Sequence, residues 1–302
     1  MKQKTLVAIV GPTAIGKTAM AIQVASHFKT EVISADSRQF YREMTIGTAK
    51  PSSEELAAVP HHFINSHSIA QEYSAGDFER DVLNLLAQLF KVHDVVVLVG
   101  GSGLFVKAVC EGLDNLPKPL PGIRERLNAR LATEGLEVLQ AYLKEVDPLY
   151  FEEVDRGNSQ RIIRALEVYE STGKPFSFYR QHTAAERAFN ILTLALNTDR
   201  AQLYARINQR VESMIASGLM EEVKGLMDYQ DKPALLTVGY AEIFDYLASR
   251  ITLDEAIDRI KQNSRRYAKR QITWFKKDKD TVWFEPEDIE DVIRFIQNKL
   301  GV

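Results

Sequence analysis

The segment Gly11-Pro12-Thr13-Ala14-Ile15-Gly16-Lys17-Thr18 fits the pattern G-x-x-x-x-G-K-[ST]. It stands between an apolar, β-branched run, Thr5–Val10, and the segment Ala19–Phe28. The first reads as a buried strand and the second as a helix. Strand, glycine loop and helix in that order are the context that gives the pattern physical meaning. The glycines let the backbone curl until its N–H groups converge, and the helix N-terminus adds the positive end of its dipole. Lys17 reaches the terminal phosphates of a ligand, and the Thr18 hydroxyl can ligate Mg²⁺. A group with at least two phosphates therefore binds at a strand end. The loop by itself does not specify a nucleotide.

Further strands and helices alternate after this unit. Glu31–Ser34 reads as a second strand, ending at Ala35-Asp36-Ser37-Arg38-Gln39. A loop-rich stretch holds His61 and His62. Asp77–Phe90 has helical apolar spacing, and Val95–Val99 is a third buried strand followed by Gly100-Gly101-Ser102-Gly103. The pattern is that of a parallel sheet flanked by helices. Leu116–Gly122 then holds three prolines and a glycine, a boundary signal. From Ile123 to about Tyr179 the chain reads as helical and strand-poor. Ile191–Leu196 reads as a strand again, helices return from Arg200 to about Phe275, and a short strand at Val282–Phe284 precedes a closing helix, Ile289–Leu300. The expected fold is α/β, a phosphate-loop NTPase-like parallel sheet. Residues 1–116 and 189–302 would form the core, and 117–188 a mainly helical insertion. A length of 302 residues accommodates two such parts.

Composition narrows the setting. A single cysteine, Cys110, excludes an internal disulfide and a cysteine-rich zinc site, and it reads as a buried small hydrophobe. No apolar run approaches the ~20 residues of a membrane span. Met1-Lys2-Gln3-Lys4 leads straight into the first strand, without the longer apolar stretch of a signal peptide. A cytoplasmic location is expected. The net charge of −3 hides an asymmetry: Arg259–Lys279 carries nine basic residues and one acid. Such a segment suits a polyanion contact or a solvated helix face.

An acid is missing where hydrolytic phosphate-loop enzymes usually carry one. The third strand ends in glycines, and Asp94 lies at its other end. Asp36, at the C-terminal end of the second strand, is the acid expected near the loop, because ligands of open α/β sheets bind along that edge. It suits a metal ligand, a general base or a cap. The glycines of Gly100–Gly103 would let a ligand approach closely, and Ser102 offers a hydroxyl.

These segments, with Ile46–Pro51, His61-His62, Tyr73–Phe78, Arg161–Val168, Gly218–Val223, Val238-Gly239-Tyr240 and Ala268–Phe275, resemble the tRNA dimethylallyltransferases, also called tRNA isopentenyltransferases, over nearly the whole chain. The resemblance implies transfer of a dimethylallyl group from dimethylallyl diphosphate to N6 of an adenosine. That adenosine lies just 3′ of the anticodon in tRNAs reading codons that begin with U. Gly11, Pro12, Thr13, Ala14, Ile15, Gly16, Lys17 and Thr18 would hold the diphosphate with Mg²⁺. Pyrophosphate would be the leaving group, so no water needs activation. Lys17, the loop N–H groups and Mg²⁺ would stabilise its growing charge. Ser102 would contact the bridging oxygen, Asp36 would take a proton from the adenosine amine or orient it, and Arg210 would reach the diphosphate. The family usually has Thr and Tyr where this chain has Ser102 and Phe105.

For tRNA, the resemblance implies a flipped base in a pocket lined by Asp36, Ser37, Arg38, Gln39 and Ser102. Gln160, Arg161, Ile162, Ile163 and Arg164 in the insertion, with Arg124, would contact the RNA. Arg161 and Arg164 are three apart and share a helix face. Lys269 and Arg270 would add sequence-blind phosphate contacts. The eukaryotic relatives carry a C-terminal zinc finger not seen in this sequence, so the bacterial form is expected, and a monomer is expected because nothing in the sequence demands a partner subunit. His62 is expected in packing or the active-site wall, and Trp274 in the core. Two rivals compete. One is a small-molecule kinase using ATP with Asp36 as base, and the other a non-enzymatic RNA-binding protein with the loop as a switch. The first gives no reason for the cationic segment or the insertion, and the second predicts RNA affinity that changes with nucleotide and no covalent product.

Overall fold

The computed structural model describes residues 4–180 and 185–301. Six strands form one sheet: β1 (Thr5–Val10), β2 (Val32–Ser34), β3 (His61–His62), β4 (Val95–Gly100), β5 (Asn190–Leu196) and β6 (Val282–Phe284), in the order β3-β2-β4-β1-β5-β6. Every pairing is parallel. β1 lies between β4 and β5, and all six of its residues are buried. Alternation sorts them: Val7 and Ile9 enter one core layer, and Leu6, Ala8 and Val10 the other. That two-sided burial is why the strand reads as a continuous apolar run, each larger side chain contributing roughly 1.5–3 kcal/mol.

The strands arise where the sequence places them, with one difference. His61 and His62, read as part of a loop, form the edge strand β3, paired with Val32 and Ile33. Two residues carry no periodicity that could announce a strand. The helix read at Asp77–Phe90 spans Ala75–Leu89, because the Ser74 hydroxyl caps it and Asp77 reaches back to the Ser74 N–H. Six of the nine bases of the basic segment lie on a 23-residue helix, Leu253–Phe275, opened by a Thr252–Glu255 capping box.

The chain divides into two compact units, Met1–Glu111 with Glu186–Val302, and Gly112–Ala185. The second is helical among its described residues, with helices Ile123–Glu134, Leu136–Val146, Pro148–Glu153, Ser159–Thr172 and Phe176–Tyr179. It has its own core, which includes Leu127, Leu139, Leu143, Ile162, Ile163 and Leu166. Residues 181–184 of the expected insertion lie outside the described residues. In the first unit, Arg187 clamps the returning chain. Its guanidinium donates to the carbonyls of Ala108 (2.7 Å) and Val109 (2.9 Å) and pairs with Glu79 (2.7 Å).

Three segments far apart in sequence meet around one carboxylate. Glu222 accepts from the backbone N–H of Thr45, Ile46 and Gly47 at 2.7–3.1 Å, and from the Tyr240 phenol at 2.6 Å. A Cβ at Gly47 would overlap the Tyr240 ring. No helix among the described residues is long and apolar enough to cross a membrane.

Candidate active site

A cavity of about 380 Å³ opens at the C-terminal ends of β1, β2 and β4. Lys17, Thr18, Asp36, Arg210, Tyr267 and Gln271 are among its lining residues. The phosphate loop forms one wall. Gly11 (φ 142°) and Gly16 (φ 106°) take left-handed conformations that only glycine adopts without strain. A Cβ at Gly11 would also come within 2.6 Å of the Leu196 carbonyl oxygen. Gly16 opens the helix Lys17–Phe28, and the Lys17 ammonium donates to the Pro12 carbonyl at 2.7 Å.

The electrostatics of this wall are those of a site built for an anion. Burial, then the neighbouring Arg210 guanidinium, lowers the Lys17 pKa to about 7, with Asp36 opposing them. Burial lowers the Arg210 pKa too, against the pull of Asp36 and Glu55. Two cations are thus held close together with little solvent, and a diphosphate would relieve both. Arg206, one turn earlier, also lines the cavity, but it donates to the Ile15 carbonyl at 3.3 Å and pairs with Glu287 at 2.7 Å. It therefore braces the loop.

Asp36 fills one of its three possible roles within the fold, that of a cap. Its Oδ1 caps the following turn, accepting from the N–H of Arg38 at 2.9 Å and of Gln39 at 3.4 Å. Its charge also acts on Lys17, Arg210 and Tyr267. Ser102 Oγ accepts from the Ser37 N–H at 3.0 Å and donates to Ser37 Oγ at 3.1 Å, tying the glycine turn to the segment after β2. Gln39 lines the cavity, and its amide donates to the carbonyls of Thr48 and Ala49 at 3.2 Å. Arg38 donates to the Ser37 carbonyl at 2.9 Å, and its Nε is buried without a partner.

The glycines of Gly100–Gly103 serve a packing purpose that the sequence does not announce. A Cβ on Gly100 would strike the Ala35 carbonyl, one on Gly101 the Gln271 amide, and one on Gly103 the Trp274 indole. Protein atoms therefore require these glycines, and the backbone of Gly100 and Gly101 also lines the cavity. Sequence reasoning missed Tyr267, Gln271 and His61 as cavity residues. Tyr267, Gln271 and Trp274 follow at intervals of four and three, the uncharged stripe of a charged helix, and that spacing was the available signal. His61, not the expected His62, reaches the cavity wall. Its Nδ1 donates to the Val59 carbonyl at 2.8 Å, and its Nε2 is buried without a partner. His62 instead faces Glu31 at 2.6 Å.

The residues expected to contact RNA fall into two groups. In the helical unit, Glu167 is fully buried and takes both Arg124 Nε (2.5 Å) and Nη2 (2.9 Å), with Arg164 at 3.4 Å. Ile162 and Ile163 are also fully buried, so they hold the helix in its core and offer no surface to a ligand. Gln160 and Arg161 are exposed. On the Leu253–Phe275 helix, Ala256, Ile260, Ala268, Gln271 and Phe275 face inward, whereas Arg259, Arg266, Lys269 and Arg270 are exposed. Arg270 lies over the Tyr267 ring at 5.7 Å.

The family model described as IPP transferase matches residues 39–278. The chain is 50% identical over 297 residues to the tRNA dimethylallyltransferase of Christiangramia forsetii, with 98% of each chain covered. Among solved structures it is similar to the full-length tRNA isopentenylpyrophosphate transferase of Bacillus halodurans, with a TM-score of 0.73 and 38% identity over 99% of this chain and 97% of that one. It is also similar to a eukaryotic dimethylallyltransferase solved acting on tRNA, with a TM-score of 0.77 and 26% identity over 95% of this chain and 75% of that one.

Proposed function

The chain belongs to the IPP transferase family and is a prenyl-transferring enzyme of tRNA, and from that premise we propose that it moves a dimethylallyl group from dimethylallyl diphosphate to N6 of the adenosine just 3′ of the anticodon in tRNAs reading codons that begin with U. The observation that carries the assignment of parts is the placing of a carboxylate, Asp36, and two desolvated cations, Lys17 and Arg210, around one cavity.

In the reaction, the bond from the prenyl C1 to the diphosphate oxygen breaks and a bond from C1 to N6 forms. The electron pair leaves with the diphosphate. Lys17, Arg210 and the loop N–H groups hold that growing charge in a site that excludes bulk water. The amine loses a proton as it attacks, and Asp36 accepts it or orients the lone pair. Ser102 keeps its turn against Ser37, so the prenyl group and the base pocket share one rigid edge. The adenine must leave the anticodon-loop stack to enter, and Ser37, Arg38 and Gln39 line its seat.

The donors near the loop suit Mg²⁺. They are hard oxygens, the Thr18 hydroxyl among them, and among the described residues no group of three or more His, Cys, Asp or Glu forms a metal cage. Thr18 and the diphosphate oxygens of the donor would hold the ion, which when bound offsets charge on the leaving group. The relative solved acting on tRNA supports the anticodon stem-loop as partner of this chain. The kinase reading is not favoured, since the relatives are named for prenyl transfer.

The test is transfer of labelled dimethylallyl groups to tRNA lacking the modification. Asp36→Ala should lower kcat by about 10²–10⁴-fold, the usual share of a general base, and leave tRNA affinity nearly unchanged. A fully active Asp36→Ala enzyme would remove the catalytic assignment. Phosphoryl transfer from ATP without prenyl transfer would remove the whole reading.

A further inference from the structure

We propose that Gln271 is a positioning residue for prenyl transfer, whose carboxamide sets the spacing between the phosphate loop and the Gly100–Gly103 turn. The inference rests on the donor-site assignment above. Gln271 is 6% exposed and is the one polar residue among the five buried positions of the Leu253–Phe275 helix. A buried amide is disfavoured against an aliphatic side chain unless both its ends are satisfied. Here they are, and by two different loops. Oε1 accepts from the Thr13 N–H at 2.8 Å, and Nε2 donates to the Gly101 carbonyl at 2.9 Å.

The geometry is specific to an amide. One flat group must present an acceptor and a donor at fixed separation, which a hydrocarbon or a carboxylate cannot do. The turn is shaped to receive it: a Cβ at residue 101 would occupy the space of Nε2. Thr13, Gly101 and Gln271 all line the cavity, so the strut is part of the cavity wall. One loop holds the leaving group, and the other carries Ser102. Reacting atoms must meet at a near-attack distance, and a displacement of about 1 Å costs roughly a hundredfold in rate.

Gln271→Met keeps the volume and removes both hydrogen bonds. Gln271→Glu keeps the acceptor but loses the donor when ionised, and regains it when protonated. Both are to be assayed with dimethylallyl diphosphate varied at saturating tRNA. Binding of inorganic diphosphate is measured by calorimetry, and tRNA affinity and thermal unfolding are followed in parallel. The Met variant should lose about 10- to 100-fold in kcat and bind tRNA within about twofold of the parent. The activity of the Glu variant relative to the parent should rise as pH falls from 8 to 6, while that of the Met variant stays flat. Parent-like kcat and KM in Gln271→Met would overturn the proposal, as would a loss that follows the folded fraction or tRNA affinity alone. If the Met variant does not fold, the pH profile of the Glu variant decides, and a flat ratio overturns it. Failure of the parent to transfer any prenyl group, with diphosphate still bound, would instead strike the reading beneath.

Discussion

Lys17 and Arg210 in the cavity, and Arg124 and Arg164 in the helical unit, are marked by the sequence in the same way, as cations facing a ligand. Their surroundings differ. The cavity pair is desolvated and mutually repelling, opposed by Asp36, which is partly committed to a turn, and by the weaker pull of Glu55 on Arg210. Arg124 and Arg164 converge on Glu167, a fully buried carboxylate that takes three of their nitrogens. The first arrangement is unfavourable until an anion arrives. The second is complete without one. A cation in a sequence therefore predicts a ligand only where the fold leaves its charge unanswered, and burial of the partner acid decides which case holds.

The sharpest way to break this contrast is to remove one charge from each side. Lys17→Met should lower kcat/KM for the prenyl donor by about 10²–10³-fold, the scale of one lost transition-state donor, in the transfer assay. The same change should stabilise the ligand-free protein by about 1–2 kcal/mol at pH 7 in chemical denaturation, because a buried cation beside another is gone. Glu167→Gln should do the opposite: stability falls by about 2–4 kcal/mol as two arginines lose their partner, with transfer per folded molecule retained. Equal signs for the two substitutions would erase the distinction.

A third set, the exposed Lys269 and Arg270, tests the contrast at the surface. Replacing both with Ala should weaken tRNA binding about tenfold at moderate salt and reduce the salt slope by about 2, measured by filter binding over a salt series. Arg124→Ala should leave that slope unchanged. The smallest effect is a proton. The folded Lys17 pKa, about 7, lies below its unfolded value, so the folded state binds fewer protons between them. Stability from this group therefore rises as pH climbs from about 7 toward the unfolded value, and is absent below 7. A bound diphosphate restores the charge, so donor binding should take up a fraction of a proton near pH 7, approaching one above pH 8. Calorimetry in buffers of different ionisation enthalpy reads this directly. No uptake would mean that Lys17 is charged before the ligand comes.

How much of this was open to a reader of the sequence depends on whether the cause was local. The phosphate loop, the strands β1, β4 and β5, and Asp36 at a strand end follow from short-range patterns of glycine, apolar runs and loop position. β3 did not, since two histidines carry no period and pair only because β2 lies beside them. Gly101 and Gly103 were seen, but their reason was not, because the atoms that require glycine come from Gln271 and Trp274. That Arg124 and Arg164 share a partner was hidden, because Glu167 gives no sign in sequence that it is buried. Ile162 and Ile163 lay inside a motif, and the motif's apolar members turn out to hold its polar ones in place.

The register of β1 has a consequence in time. Thr5 pairs with Val95 on one side and with Asn190 on the other. A ribosome delivers residues one by one at ~5–20 per second, so the first strand made waits on the order of ten seconds or more for its second neighbour. During that interval β1 has an open apolar edge, and the helical unit between its two partners emerges with a core of its own. The phosphate loop at the end of β1 therefore gains its remaining neighbours late, first Leu196 against Gly11 and then Arg206 and Gln271. Nascent chains stalled before residue 190 should be the form most prone to capture by chaperones, and those stalled well beyond the closing helix the least.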